Sequence, residues 1–149
     1  MRKRKACVKI ILRMAKKRSK KKILRDKLWD TFSIYIRKRD EATCFTCDKR
    51  EWDTETGEWT IKGFNAGHFI HNVLDFDEMN IHCQCIRCNH HLSGNGVEYS
   101  RRMIKKYGLE AVEELHNRAS KDLKSELHDE VWYKNKIEEY KKKSNTYEK

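Results

Sequence analysis

The chain contains no proline. Nothing in it carries the ring that breaks a helix from within, so long uninterrupted helices are allowed. No apolar run approaches the roughly 18 residues of a membrane-spanning helix, which leaves a membrane out of the expected partners. The short apolar core Ile10-Ile11-Leu12, followed soon by lysines, does not make a secretory signal, and a cytoplasmic location is expected. No internal repeat is present. Apolar residues are only 38% of the chain, no more than the charged ones, so the core is expected to be thin. At 149 residues the size suits one domain helped by a metal staple.

Positive charge is abundant. The formal net charge of +11 favours a polyanionic partner, with nucleic acid first. Six cysteines in a chain without an export signal read as metal ligands or free thiols rather than disulfides. Four of them form two Cys-x-x-Cys knuckles, Cys44/Cys47 and Cys85/Cys88. Cys7 and Cys83 read as spare thiols, although Cys83 lies near enough to the second knuckle to substitute as a ligand. Zn²⁺ takes four thiolates tetrahedrally, each knuckle wrapping one edge, and four sulfurs leave no position open for chemistry. The expected zinc is therefore structural.

Taken in order, residues 1–22 form a basic N-terminal segment ending in Lys16, Lys17, Arg18, Lys20, Lys21 and Lys22. Such blocks repel themselves and are suited to phosphate contact; the plain alternative is a solvated or nuclear-targeting-like tail. Residues 23–43 hold an amphipathic helix with Leu24, Leu28, Phe32 and Tyr35/Ile36 at three- and four-residue spacing. Arg25, Lys27, Arg37, Lys38 and Arg39 take its other faces. Residues 44–95 read as knuckle, hairpin, knuckle and short helix. Alternation predicts a strand over Trp59–Phe64, with His68 at or just after a strand end and a loop from Asn72 to Asn80. Residues 96–149 read as helices. Tyr99, Met103 and Tyr107 mark one that stops at Gly108, and Leu109 to Ala119 a second. A last helix, about Leu123 to Lys143, shows Leu127, Val131, Lys134/Asn135 and Glu138 on one face with Trp132, Ile137 and Tyr140 nearby, a weaker pattern suited to partial packing or self-association.

One string carries a resemblance. Cys44-x-x-Cys47, Asn65-Ala66-Gly67-His68 and Asn80-Ile81-His82-x-Gln84-Cys85-x-x-Cys88-Asn89-x-His91-x-Ser93-Gly94-Asn95 resembles the NinG/Rap recombination proteins of lambdoid phages. These stand within the wider His-Asn-His (HNH), ββα-metal nuclease superfamily. The resemblance runs from roughly Leu24 to Leu115. It implies an α+β, mainly α, fold whose zinc-stapled ββα-metal, treble-clef-like core is flanked by amphipathic helices. It also implies a phage protein in a bacterial host cell: a metal-dependent endodeoxyribonuclease for branched DNA such as Holliday junctions and D-loops. His68 would be the general base, a task an imidazole suits near neutral pH. Asn80 would orient the His68 loop, and Asn89 would hold a catalytic Mg²⁺ or Mn²⁺ on the scissile phosphate. Asn65 and His91 are further candidate ligands, and Arg37, Arg87, Arg101 and Arg102 candidate DNA contacts beside the N-terminal lysines. Symmetric cutting of a junction needs two active sites, hence an expected homodimer.

The chain departs from the pattern at two places. HNH nucleases commonly carry Asp or His just before the general base, where this chain has Gly67, and the family's Asp three residues before that base is here Asn65. His91, Asp75 or Asp77 would complete the shell, or the ion would arrive with DNA, because Mg²⁺ is normally held by at least one carboxylate plus substrate phosphate. Of the other histidines, His71 and His82 read as structural, His90 as a phosphate contact, and His116 and His128 as surface residues. Two rival functions stand beside the nuclease: a non-catalytic zinc-stabilised DNA-binding recombination mediator, and a sequence-specific HNH endonuclease.

Overall fold

Lys20–Arg39 forms the first described helix, α1, in a computed structural model that describes residues 19–121 and 128–147. Ser19 caps it, its hydroxyl accepting the Lys22 N–H at 3.2 Å. The inward stripe is Leu28, Phe32, Tyr35 and Ile36, all buried, which is the face the residue spacing predicts. Asp40 closes the helix, and its carboxylate accepts the Cys83 N–H at 2.8 Å. The helix end is thereby tied to a strand 43 residues later.

The expected strand over Trp59–Phe64 is not formed. Instead, Trp52–Asp53 (β1) and Glu58–Trp59 (β2) make a small hairpin that leaves both tryptophans exposed, with the Arg50 guanidinium 4.1 Å over the Trp59 ring. Gly63 then turns the chain in the left-handed region (φ 78°), which separates Trp59 from the strand that begins at Phe64. That strand, Phe64–His68 (β3), pairs antiparallel with Ile81–Cys85 (β4) in the register Phe64↔Cys85, Ala66↔Cys83 and His68↔Ile81. The second strand thus leads directly into the second knuckle.

All five residues of β4 are buried because both faces of this hairpin are covered. On one face, Ala66 and Ile81 join the α1 stripe and Tyr133, Ile137 and Tyr140 of the last helix, Glu130–Asn145. On the other, His82 meets Tyr99, with ring centroids 5.8 Å apart. A five-residue π turn, Arg87–His91, begins within the second knuckle and includes its Cys88. Gly96–Tyr107 (α2) and Leu109–Lys121 (α3) then share a satellite core of Tyr99, Met103, Val112 and Leu115. Gly108 at φ 86° lets the chain turn between them.

The final helix, α4, differs from the sequence expectation in its start and its face. It begins at Glu130, where Asp129 caps it by accepting the Trp132 N–H at 2.7 Å. Its buried face is Tyr133, Ile137, Tyr140 and Ser144, while Val131 is 60% exposed and Leu127 lies outside the described residues. The aromatic stripe of α1 decides this: Tyr140 packs edge-on to Phe32 with centroids 4.8 Å apart, so tyrosines with an amphipathic rim serve as core here.

Candidate functional site

The two ends of the β3–β4 hairpin carry different chemistry. At the Phe64/Cys85 end, the Sγ atoms of Cys44, Cys47, Cys85 and Cys88 all lie within 4.8 Å of one another. The Cys47–Cys85 separation is 3.8 Å. That is the edge of a tetrahedron with bonds of about 2.3 Å, the Zn–thiolate length. The four thiols could hold one metal ion, and the donor set fits structural zinc. Their titration is uneven. Burial pushes the Cys44 thiol up, but hydrogen bonds from the Thr46 hydroxyl and from backbone amides outweigh it and bring it down to about 7. Burial also raises Cys47, to about 12. Cys83 is not a fifth ligand. It lies buried on the face shared with Ala66, and burial holds its thiol well above the ordinary range.

At the His68/Ile81 end, His68 closes β3 with a side chain one-fifth exposed. Its ring stacks on Trp29 of α1, at a centroid distance of 5.1 Å and an interplanar angle of 10°. Its Nε2 is buried and 3.3 Å from Asp75 Oδ1, within ion-pair reach but without hydrogen-bond geometry. Asp75 also pairs with Arg25. The His68 imidazole first, and then the Arg25 guanidinium, hold the Asp75 carboxyl below its ordinary range. These groups line an open cleft of about 480 Å³ between α1 and the 69–80 loop, with Asp26 and Asp30 on the helix side. An imidazole held by a carboxylate at a cleft wall can accept and return a proton.

Asn80 fixes the loop. Its Oδ1 accepts the Ile70 N–H at 2.8 Å, and its Nδ2 donates to the carbonyls of Ile70 at 3.0 Å and Val73 at 3.1 Å. Asn80 is fully buried, and these bonds within the loop take up its side chain. Behind Gly67, the Tyr99 hydroxyl donates to the Gly67 carbonyl at 3.0 Å and so accepts from His82 Nδ1, 3.1 Å away. His82 Nε2 then accepts from the Tyr107 hydroxyl at 2.8 Å. Burial first, and then Arg39 and Lys106, push this imidazole down to about 2, so it stays neutral.

The other sequence candidates separate. Asn89 is half-buried in the π turn with its Oδ1 facing Gly67. Asn65 sits opposite Gln84 in register, so the two side chains share a sheet face. His91 is exposed. Among the described residues, no group of His, Cys, Asp or Glu besides the four cysteines is close enough to hold an ion. The residues around Asn89 therefore fit a Mg²⁺ only where substrate phosphate supplies the charged ligands.

Of the expected DNA contacts, Lys20, Lys21 and Lys22 form the first turn of α1, where no acidic residue answers the positive end of the helix dipole. Arg87 and Arg101 are exposed. Arg37 needs correcting: its guanidinium donates inward to the carbonyls of Ile61 at 3.3 Å and Phe64 at 3.4 Å, so it braces the hairpin. Arg102 is likewise engaged, clamped between Asp48 and Glu98. Lys16, Lys17 and Arg18 lie outside the described residues. Sequence reasoning missed Trp29 and Gln84 beside the site, and it offered Asp75 only as one of three residues that could complete a metal shell, not as the neighbour of His68. Only the acidic run in the loop hinted at the last.

A mainly helical α+β chain with small sheets and a cysteine cluster that could bind a metal is what fold and site define. The family model of the bacteriophage lambda NinG protein matches residues 1–149, and the chain belongs to that family. "Protein ninG" of Escherichia phage 933W is 39% identical over 94 residues, covering 58% of this chain and 42% of that protein. The proteins of the same name from Salmonella phage P22 (38% over 90 residues, 57% and 40%) and Escherichia phage lambda (38% over 94 residues, 58% and 42%) are similar. The matches thus span less than half the length of these relatives. No solved structure matches. Among the described residues, no helix is long and apolar enough to cross a membrane.

Proposed function

We propose that this chain is a metal-dependent endonuclease that cuts branched DNA, such as Holliday junctions and D-loops, during phage recombination. The observation that carries the reading is the His68–Asp75 pair in an open cleft at the end of a cysteine-stapled hairpin. Asp75 faces Nε2 at ion-pair distance, which leaves Nδ1 as the nitrogen that takes a proton from the attacking water. Trp29 restrains the ring, and Asn80 fixes the loop that brings Asp75 to it. Zinc at the four cysteines staples the hairpin and does no chemistry. A Mg²⁺ or Mn²⁺ ion, when bound near Asn89, would polarise the scissile phosphate and stabilise charge on the leaving oxygen. The exposed cations Arg87, Arg101, Lys20 and Lys22 would hold phosphate backbone and select by shape, because phosphate contacts carry no base code. Paired cuts at a junction require two copies, so the working form is a homodimer in the host cytoplasm.

The test is cleavage of a labelled four-way junction and its matched linear duplex, with and without Mg²⁺, by the parent and His68→Ala proteins. Junction-selective, Mg²⁺-dependent cutting lost in the variant is expected. Binding with no cutting under any metal condition would sink the nuclease and leave the recombination mediator. That second reading is favoured by one observation, the lack of a carboxylate or histidine cluster at Asn89 among the described residues. Rejection of most junctions that differ only in sequence would instead point to a sequence-specific enzyme.

A further inference from the structure

Two of the four tryptophans, Trp52 and Trp59, stand on the β1–β2 hairpin 52% and 46% exposed, outside the packed cores. One exposed apolar side chain is ordinary, but these two indoles adjoin, with ring centroids 5.1 Å apart. The hairpin that carries them is held at both legs. The Lys49 carbonyl accepts the Cys44 N–H at 2.9 Å, and the Arg37 guanidinium donates to the Ile61 carbonyl. The pair is therefore presented from the end of the fold where the four cysteines gather, and little of its ordering is left for a partner to supply.

Strand alternation gives the hairpin two unlike faces. Trp52 lies opposite Trp59 in register and Asp53 opposite Glu58, so indoles and carboxylates point to opposite sides. Asp53 serves the turn: its Oδ1 accepts the N–H groups of Glu55 at 2.9 Å and Thr56 at 3.2 Å, and its other oxygen faces Lys62 at 3.8 Å. Arg50 belongs to the indole side, its guanidinium lying 4.1 Å over the Trp59 ring. It donates to the Glu41 carbonyl at 3.2 Å and has no carboxylate partner among the described residues, so most of its five N–H groups remain for an anion. An aromatic surface with an unneutralised cation is thus set apart from the negative charge of the hairpin strands.

We propose that this indole–guanidinium face is a seat for an unpaired DNA base, which stacks on an indole while Arg50 takes the adjoining phosphate. Every base has a π-face, so an indole accepts any of the four, and an arginine stacked on an aromatic ring keeps its in-plane N–H groups for phosphate oxygens. The net charge of +11 draws in the polyanion. The indoles then separate unpaired from paired bases, because the faces of a base inside a duplex are already covered by its neighbours. That the base belongs to a branched DNA rests on the nuclease reading; the seat itself asks only for a single-stranded stretch. β3 carries the chain about 14 Å from Phe64 to His68, and the hairpin joins it at the Phe64 end. The seat therefore governs affinity and leaves the rate of bond cleavage alone.

The experiment measures anisotropy of fluorescein-labelled DNA with zinc-loaded full-length protein: a mixed-sequence single strand, its matched duplex, and a four-way junction with unpaired bases at its centre. Trp52→Ala and Trp59→Ala should each weaken binding of the single strand and the gapped junction about 5- to 150-fold, with duplex affinity unchanged. Replacing both indoles by phenylalanine should restore most of the loss, since stacking needs a ring. The salt slope on the single strand should hold in the alanine variants and fall by about 0.7 in Arg50→Ala, one phosphate contact. A bound strand carrying 5-iodouracil, irradiated, should cross-link to Trp52 or Trp59 by peptide mass spectrometry. Should the alanine variants fail to fold, the cross-link decides alone. No single-strand binding by the parent, parent-like binding by the double alanine variant, an equal loss on duplex and single strand, or a cross-link elsewhere would overturn the seat. A double alanine variant that loses only mass in sedimentation would give the face to a second copy of the chain instead. Junction cleavage by the same samples separates the two ideas. Cutting with indifferent tryptophans removes the seat and keeps the nuclease, whereas tryptophan-dependent binding of single strands without cutting does the reverse.

Discussion

One hairpin, two ends: at Phe64/Cys85 four sulfurs lie within a few ångströms of one another, and at His68/Ile81 an imidazole is held by a single ring stack and a 3.3 Å carboxylate contact. The first end draws its parts from two tight turns and is built to be rigid. The second draws them from α1, β3 and a 12-residue loop, through contacts each worth about 1 kcal/mol or less when partly solvated. A metal staple at one end of a short strand pair can hold the other end in place without occupying it, which leaves the cleft free for a substrate.

The comparison breaks most severely at the staple. Cys88→Ser should abolish the native fold, because structural zinc supplies roughly 10–16 kcal/mol of apparent binding energy in small zinc modules. Zinc content by elemental analysis and dispersion of the amide spectrum check this, and a folded, metal-free variant would show that the hairpin stands without its staple. Phe32→Ala, at the α1–α4 contact, should cost about 3–5 kcal/mol in denaturant unfolding yet keep the zinc, since the two are separate supports.

At the other end, Asp75→Asn should lower junction cleavage with unchanged junction binding. The loss should be smaller than that of His68→Ala, itself on the order of 10²- to 10⁴-fold. Equal rates for Asp75→Asn and parent would leave the ion pair a surface accident.

His82 gives a pH test of the layer between the two ends. Its imidazole is held down to about 2 in the fold against 6.5 in the ordinary state, so between these values the unfolded chain binds the extra proton. Stability therefore falls as pH drops through that window, by up to about 1.4 kcal/mol per pH unit. His82→Phe should flatten the slope between pH 6.5 and 5, measured by urea unfolding against the parent. The smallest effect belongs to the rim. Arg101→Ala, if Arg101 meets one phosphate, should reduce the salt slope of junction binding by about 0.9 and leave the fold alone.

Short-range chemistry is legible in the sequence. The knuckles announce themselves because a tetrahedral site needs two tight Cys-x-x-Cys turns, and the α1 stripe because Leu28, Phe32, Tyr35 and Ile36 repeat at helical spacing. Gly108 marked the end of α2 for a similarly local reason, a left-handed φ. The face of α4 was not legible. Its tyrosines are apolar or polar depending on what they meet, and the aromatic stripe of α1 that makes them core is far away in sequence.

The composition and the motifs by themselves determined a basic, mainly helical chain with four cysteines that could hold a metal ion, because charge, knuckle spacing and helical period are properties of neighbouring residues. Only the tertiary structure decided that Arg37 faces inward, that Asp75 rather than a residue beside His68 holds the imidazole, and that Gln84 fills the gap left by Gly67. Each of those depends on two segments meeting after the hairpin has paired and both its faces have been covered, and no local pattern encodes that meeting.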